Sequence, residues 1–171
     1  MTYERLVCDI KEHKSKTHQT QLTVGGNLLD FPGSLSTPTA TVTTAKCLFN
    51  SAISTLGDKC LVTDVKNVYL NNDLPEPEYM KLHLHIIPQE TIDKYALHDL
   101  VNKDGWVHLK IVKGMYRLKQ AGIIANIELN KHLDKFGYHT VQHTPGLWKH
   151  NTRATIFTLS VEDFAIKYAS K

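Results

Sequence analysis

An α+β domain built on antiparallel strands is what this sequence predicts, and three observations carry it. Residues 79–87 (YMKLHLHII) and 106–112 alternate apolar and polar side chains, the period-two pattern of half-exposed strands. Residues 41–55 and 123–136 instead repeat apolar positions at helical spacing. Turn-forming clusters such as Asn102-Lys103-Asp104-Gly105 and Thr144-Pro145-Gly146 separate the segments. Helices and strands alternate irregularly, so hairpins dominate. The expected architecture is an antiparallel sheet with helices packed on one face.

The elements follow in order. Residues 6–10 and 21–24 are short apolar runs joined by the Lys- and His-rich connector KEHKSKTHQT. They read as a long hairpin with a basic tip or as strands around a solvated loop. Gly25-Gly26-Asn27 ends the second run with turn chemistry. It lacks the lysine and following hydroxyl of a phosphate-binding loop. Residues 28–40, with Pro32, Gly33 and Pro38, form an irregular connection. In the first helical segment Val42, Ala45, Leu48, Phe49, Ala52 and Ile53 share a face. Thr39 or Thr41 is placed to cap it, and Gly57 lies just past its end.

Cys60-Leu61-Val62-Thr63 reads as a short buried strand, followed by Asp64 and, five residues on, Tyr69. An acid ending a buried strand is costly unless hydrogen-bonded, paired or metal-bound. Asn71-Asn72-Asp73 is a turn, and Pro75 and Pro77 bracket Glu76 in a stiff loop. Residues 88–97 suggest a short helix. A basic loop, KGMYRLKQAG (113–122), holds one amide side chain, Gln120. The long helix after it stops at Gly137, and Leu147-Trp148 begins a short strand.

The chain closes with ATIFTLSV, Glu162-Asp163 and FAIKY. Two strand-like runs flank two adjacent acids, which read as the hairpin tip. Such turns ordinarily use Asn-Gly, Asp-Gly or Gly-x. Two carboxylates there repel unless a cation sits between them, so the tip is either a solvated acidic turn or part of a divalent-metal site.

Composition narrows the function classes. The 171 residues suffice for one core, and 20 Lys+Arg against 17 Asp+Glu give a net charge of +3, which permits a nucleic-acid partner without demanding one. No apolar run approaches a membrane span, and the N-terminus is too charged for a signal peptide. Three cysteines without CxxC spacing suggest a reducing, intracellular setting. His83 and His85 share a face if they sit on a strand, and His139 and His143 if they sit on a helix. Neither pair has the second pair that zinc needs.

Four ordered boxes go further: TDVKNVYLNN (63–72), KGMYRLKQAG (113–122), FGYHTVQHTPGLWKH (136–150) and FTLSVEDFAIKY (157–168). With LTVGGN (22–27) and STPTATVTTAKCLFNSAIS (36–54) upstream, they resemble the reverse transcriptase of LTR retrotransposon Pol polyproteins, copia-type, over nearly the whole chain. The resemblance implies a right-hand polymerase. About 1–58 and 74–113 would be fingers-like, and about 59–73 and 114–171 palm-like. Asp64, Glu162 and Asp163 would be the metal carboxylates of two-ion nucleotidyl transfer with Mg²⁺ or Mn²⁺. Tyr69 would be the steric gate under the incoming sugar, and Gln120 the loop glutamine that contacts the nucleotide. The partners implied are dNTPs and an RNA or DNA template with its primer. The setting implied is the cytoplasm or a retroelement particle, with no membrane.

The chain departs from that family at definite positions. Glu162 stands for the first of two adjacent aspartates. Arg117 replaces a glycine, and Gln21 replaces a basic residue before the Leu-x-Val strand. The sequence ends three residues after Tyr168, with no thumb. The alternative expectation is therefore an inactive retroelement relic, at most a weak binder of nucleic acid.

Overall fold

The computed structural model describes residues 1–10, 12, 17–31, 33 and 36–169. Most of the basic connector between the first two strands lies outside the described residues, as do Pro32, Ser34 and Leu35. In chain order the elements are β1 (Thr2–Ile10), β2 (His18–Val24), α1 (Val42–Ile53), β3 (Asp58–Asp64), β4 (Asp73–His83), α2 (Gln89–Lys94), β5 (Trp106–Lys113), α3 (Ala121–Lys135), β6 (Tyr138–Thr140), β7 (Leu147–His150), β8 (Thr155–Ser160) and β9 (Asp163–Ala169). This is a mixed α+β protein with two sheets and three α-helices among the described residues. It divides into two compact units, 1–33 with 69–121 and 34–68 with 122–171.

The first unit holds the sheet β2-β1-β4-β5. β1 and β2 pair antiparallel from Glu4 opposite Val24 to Ile10 opposite His18. Thr23 Oγ1 donates to the Arg5 carbonyl at 2.9 Å, and Thr2 Oγ1 to the Gly25 carbonyl at 2.6 Å. β1 meets β4 in parallel through Thr2–Met80 and Tyr3–Lys81. Local patterning cannot signal such a pairing between strands far apart in sequence. β4 starts at Asp73 and runs through the two prolines that the sequence suggests as a loop. Its register against β5 shifts between Asp73 and Glu78. Proline has no N–H for a ladder and is tolerated where a strand is locally unpaired. The strand also stops at His83, and Leu84–Ile86 forms a 3₁₀ turn in place of the alternation's last residues. Leu82, Ile87, Ile92, Leu97 and Val107 form this unit's core, so the short α2 is held by the Ile92 it buries.

The second unit holds the antiparallel sheet β3-β9-β8-β7-β6. Thr41 caps α1: its Oγ1 accepts the Thr44 N–H at 3.1 Å, satisfying one of the open donors of the first turn. The helix lies along β3, β8 and β9. The Lys167 amine on β9 reaches Ser51 Oγ on α1 at 2.7 Å and Asp58 Oδ2 on β3 at 2.8 Å. α3 ends with His132 and Lys135 in its last turn, where positive charge complements the helix dipole. Its Leu129 and Leu133 pack on a cluster of Trp148, Phe157, Leu159 and Phe164. Trp148 and Phe157 are register partners, and their rings stack within 6° of parallel. Gly146 precedes this ladder at φ 71°, and a Cβ there would lie 2.0 Å from the Ala40 nitrogen, so no other residue fits. The three-residue β6 and its pairing with β7 fall on a stretch too short for a sequence period. His139 sits on that strand and His143 has φ 60°, so the two do not share a helix face.

Burial separates the middle of this sheet from its β3 edge. Leu159 is 2% exposed, whereas Leu61 and Val62 on β3 are 50% and 65% exposed. Leu159→Ala should cost about 3 kcal/mol, the usual range for a buried leucine, read as a lowered urea midpoint. Leu61→Ala should move the midpoint by less than a third as much.

Candidate functional site

The hairpin of β8 and β9 sets the site. Ser160 pairs with Asp163, which leaves Val161 and Glu162 as the two-residue loop. The turn therefore lies one residue earlier than the Glu162-Asp163 tip expected from sequence, and Asp163 is the first residue of β9. The backbone explains the shift. Val161 has φ 59°, and a single left-handed residue at the first loop position is the mark of a type II′ turn. Glycine is favoured there, and a β-branched residue pays a steric cost.

Asp163 also lies directly opposite Asp64 on β3. Residues facing each other across an antiparallel pair have Cα atoms about 4.5–5.5 Å apart. The Val65 N–H then donates to the Glu162 carbonyl at 2.9 Å, tying the loop to the end of β3. Three acids separated by about a hundred residues are thus fixed at one end of one sheet by backbone pairing. β3 itself is an exposed edge strand, not the buried strand the sequence suggested, and Asp64 and Asp163 are both exposed. Cys60-Leu61-Val62-Thr63 is apolar enough to read as core, but all four residues are exposed.

Glu162 is half-buried, and its carboxyl is held above the ordinary glutamate range. Burial is the main cause, followed by the charges of Asp163 and then Asp64. Electrostatics and pairing agree that the three carboxylates share a field. Among the described residues no group of three or more His, Cys, Asp or Glu side chains is arranged to hold a metal ion. The donor set still suits a hard cation of the Mg²⁺ type, which takes one or two carboxylates and completes its shell with water and substrate phosphates.

The two nucleotide-contacting candidates belong to the first unit. Tyr69 opens a 3₁₀ turn, is half-buried, and meets Tyr116 edge-to-face at 5.1 Å between ring centroids. Its carbonyl backs onto Gly114, whose N–H donates to the Asn72 carbonyl at 2.8 Å. Gln120 is only 7% exposed. Its Nε2 donates to Glu78 Oε1 at 2.8 Å, while its own Oε1 is buried with no partner. Glu78 is the partner of Gln120 that the sequence did not single out. It sits 42 positions away on an alternating strand, and nothing in its neighbourhood marks it. No helix among the described residues is long and apolar enough to cross a membrane.

Compared with protein-family models, with curated proteins and with solved structures, the chain matches none.

Two outcomes test this geometry. Val161→Gly should raise stability by about 1 kcal/mol by relieving the left-handed β-branched residue, measured by urea unfolding. Glu162→Gln should raise the thermal midpoint at neutral pH. A raised folded-state pKa means that Glu162 favours the fold when protonated, and this contribution is lost as pH rises through that pKa. The gain from glutamine should therefore shrink as pH falls and vanish once Glu162 is protonated in both states.

Proposed function

We propose that the chain is a reverse-transcriptase-like nucleotidyltransferase domain, an RNA-directed DNA polymerase of retrotransposon type. The observation that carries it is the facing pair of Asp64 and Asp163 with Glu162 tied beside them. A carboxylate cluster at the open end of a sheet is what two-ion phosphoryl transfer requires. On this reading about 59–73 and 114–171, with β3 and the β8–β9 hairpin, are palm-like, and about 1–58 and 74–113, with the β1–β2 hairpin, are fingers-like. The substrates are dNTPs and a primed RNA or DNA template, and the setting is intracellular, in a retroelement particle or the cytoplasm.

Asp64 and Asp163 would hold Mg²⁺ or Mn²⁺ through exposed oxygens, and Glu162 would add the third carboxylate. When bound, such ions supply the positive charge that activates a primer hydroxyl and stabilises departing pyrophosphate. The chain's own part is to keep three like charges in place without them. Backbone hydrogen bonds do that. The extra methylene of Glu162 moves its oxygens by about 1 Å, a displacement that costs roughly a hundredfold where geometry is tight. Tyr69 would lie under the sugar and exclude a 2′-hydroxyl by contact. The unpartnered Gln120 Oε1 is an acceptor for a nucleotide donor, held in place by the bond from Nε2 to Glu78.

A second reading, a catalytically silent relic, draws on different observations. Gln120 is sequestered against Glu78, Arg117 carries φ 72° where the resembled family has glycine, and Glu162 is the longer acid.

Primer extension on an RNA template with Mg²⁺ or Mn²⁺ decides between them. The polymerase reading expects slow, template-dependent extension that Asp64→Asn abolishes and that Glu162→Asp accelerates by one to two orders of magnitude. Absence of extension from both the natural chain and Glu162→Asp would leave the relic.

A further inference from the structure

The carboxylate tip is not the only place where this chain's chemistry points to a ligand. In the first unit a cavity of about 340 Å³ opens where β1, the end of β2 and the 113–122 loop meet. Arg5 and Arg117 line it together with Tyr3, Gly25, Gly26 and Asn27. Two arginines thus line one concavity that no acidic residue lines. Among the described residues no ion pair or hydrogen bond engages either arginine side chain. Both arginines are exposed, and two positive charges beside one concavity raise the local potential that draws an anion.

The backbone shows that the arrangement is fixed. Arg117 has φ 72°, a conformation that costs a non-glycine residue energy and persists only where the surroundings impose it. They do so here. A Cβ on Gly26 would lie 1.8 Å from the Arg117 carbonyl oxygen, so the two backbones touch directly. The Val24 N–H donates to the Tyr116 carbonyl at 3.3 Å, and the Leu118 N–H to the Met115 carbonyl at 3.1 Å. The loop is clamped on both sides of Arg117, which is one of the residues that line the pocket.

We propose that this pocket binds a phosphate group, held between the Arg5 and Arg117 guanidinium forks. Arginine matches phosphate oxygens in a planar, bidentate way that lysine does not. The phosphate belongs to a free nucleotide or to a polynucleotide strand. The site takes its anion without a metal ion, and so stands apart from the carboxylates of the polymerase reading.

Binding in EDTA-containing buffer isolates it, because a metal-bridged phosphate at the acidic tip is then removed. Inorganic pyrophosphate is titrated calorimetrically, and a fluorescein-labelled single-stranded oligonucleotide by anisotropy. Arg5→Gln and Arg117→Gly should each weaken binding about tenfold, in line with loss of charge-assisted hydrogen bonds, and Arg117→Lys should weaken it less than Arg117→Gly. A loss seen with pyrophosphate assigns the site to free phosphates, and a loss seen only with the oligonucleotide assigns it to a strand. Arg117→Gly relieves the left-handed backbone and should unfold no more easily than the natural chain, so its loss of binding is not misfolding. Absence of saturable binding of both probes, or unchanged binding by both Arg5→Gln and Arg117→Gly, would overturn the proposal.

Discussion

The in-register pairing of β3, β9 and β8 is the constraint from which the rest of the second unit follows. Strand pairing has a period of two, so slipping by one residue would exchange the faces of every side chain. The two-residue loop at Val161 and Glu162 prevents that slip by fixing Ser160 opposite Asp163. From that one pairing the chain obtains both its core and its acidic end. Phe157 faces Ile166, Leu159 faces Phe164, and Asp64 faces Asp163. The apolar pairs bury area worth roughly 25 cal/mol per Å². The acidic pair opposes them by repulsion, which is strongest where like charges are least hydrated. The ladder wins because its hydrogen bonds and aromatic packing are many and the repulsion is confined to a solvated end.

The fold was legible wherever a local period ran long enough. α1, α3, β5 and the closing hairpin follow from spacing, and Thr41 from capping chemistry. What escaped is non-local. The parallel contact of Thr2–Tyr3 with Met80–Lys81 leaves no mark on either strand. β6 is three residues long. The bulged start of β4 passes through prolines that by themselves argue for a loop. Each is decided by what packs nearby, which a linear pattern does not contain.

The site was legible in part. Three acids stood out by their neighbours and meet at one sheet end. Sequence misjudged their surroundings, placing Asp64 on a buried strand and the turn on Glu162 and Asp163. Leu61 and Val62 are as apolar as core residues, and only tertiary structure shows that they are uncovered. The turn was misplaced because valine is a poor residue for φ 59°, so propensity pointed away from the position that pairing imposed. Gln120 was found by its motif, while its partner Glu78 was invisible. A hydrogen bond between side chains 42 positions apart has no local signature.

The open side of β3 gives its charges a second role. A strand with unpaired backbone groups and exposed leucine and valine is a template on which another extended chain can add. Solubility at such an edge rests on charges that repel or misfit an incoming strand. On β3 those are Asp58 and Lys59 at one end and Asp64 at the other, and Asp58 is already engaged by Lys167. Asp64 is therefore also a charge of the kind that opposes edge-to-edge pairing. Neutralising it removes a gatekeeper together with a carboxylate, so the concentration at which the protein is handled becomes part of its behaviour.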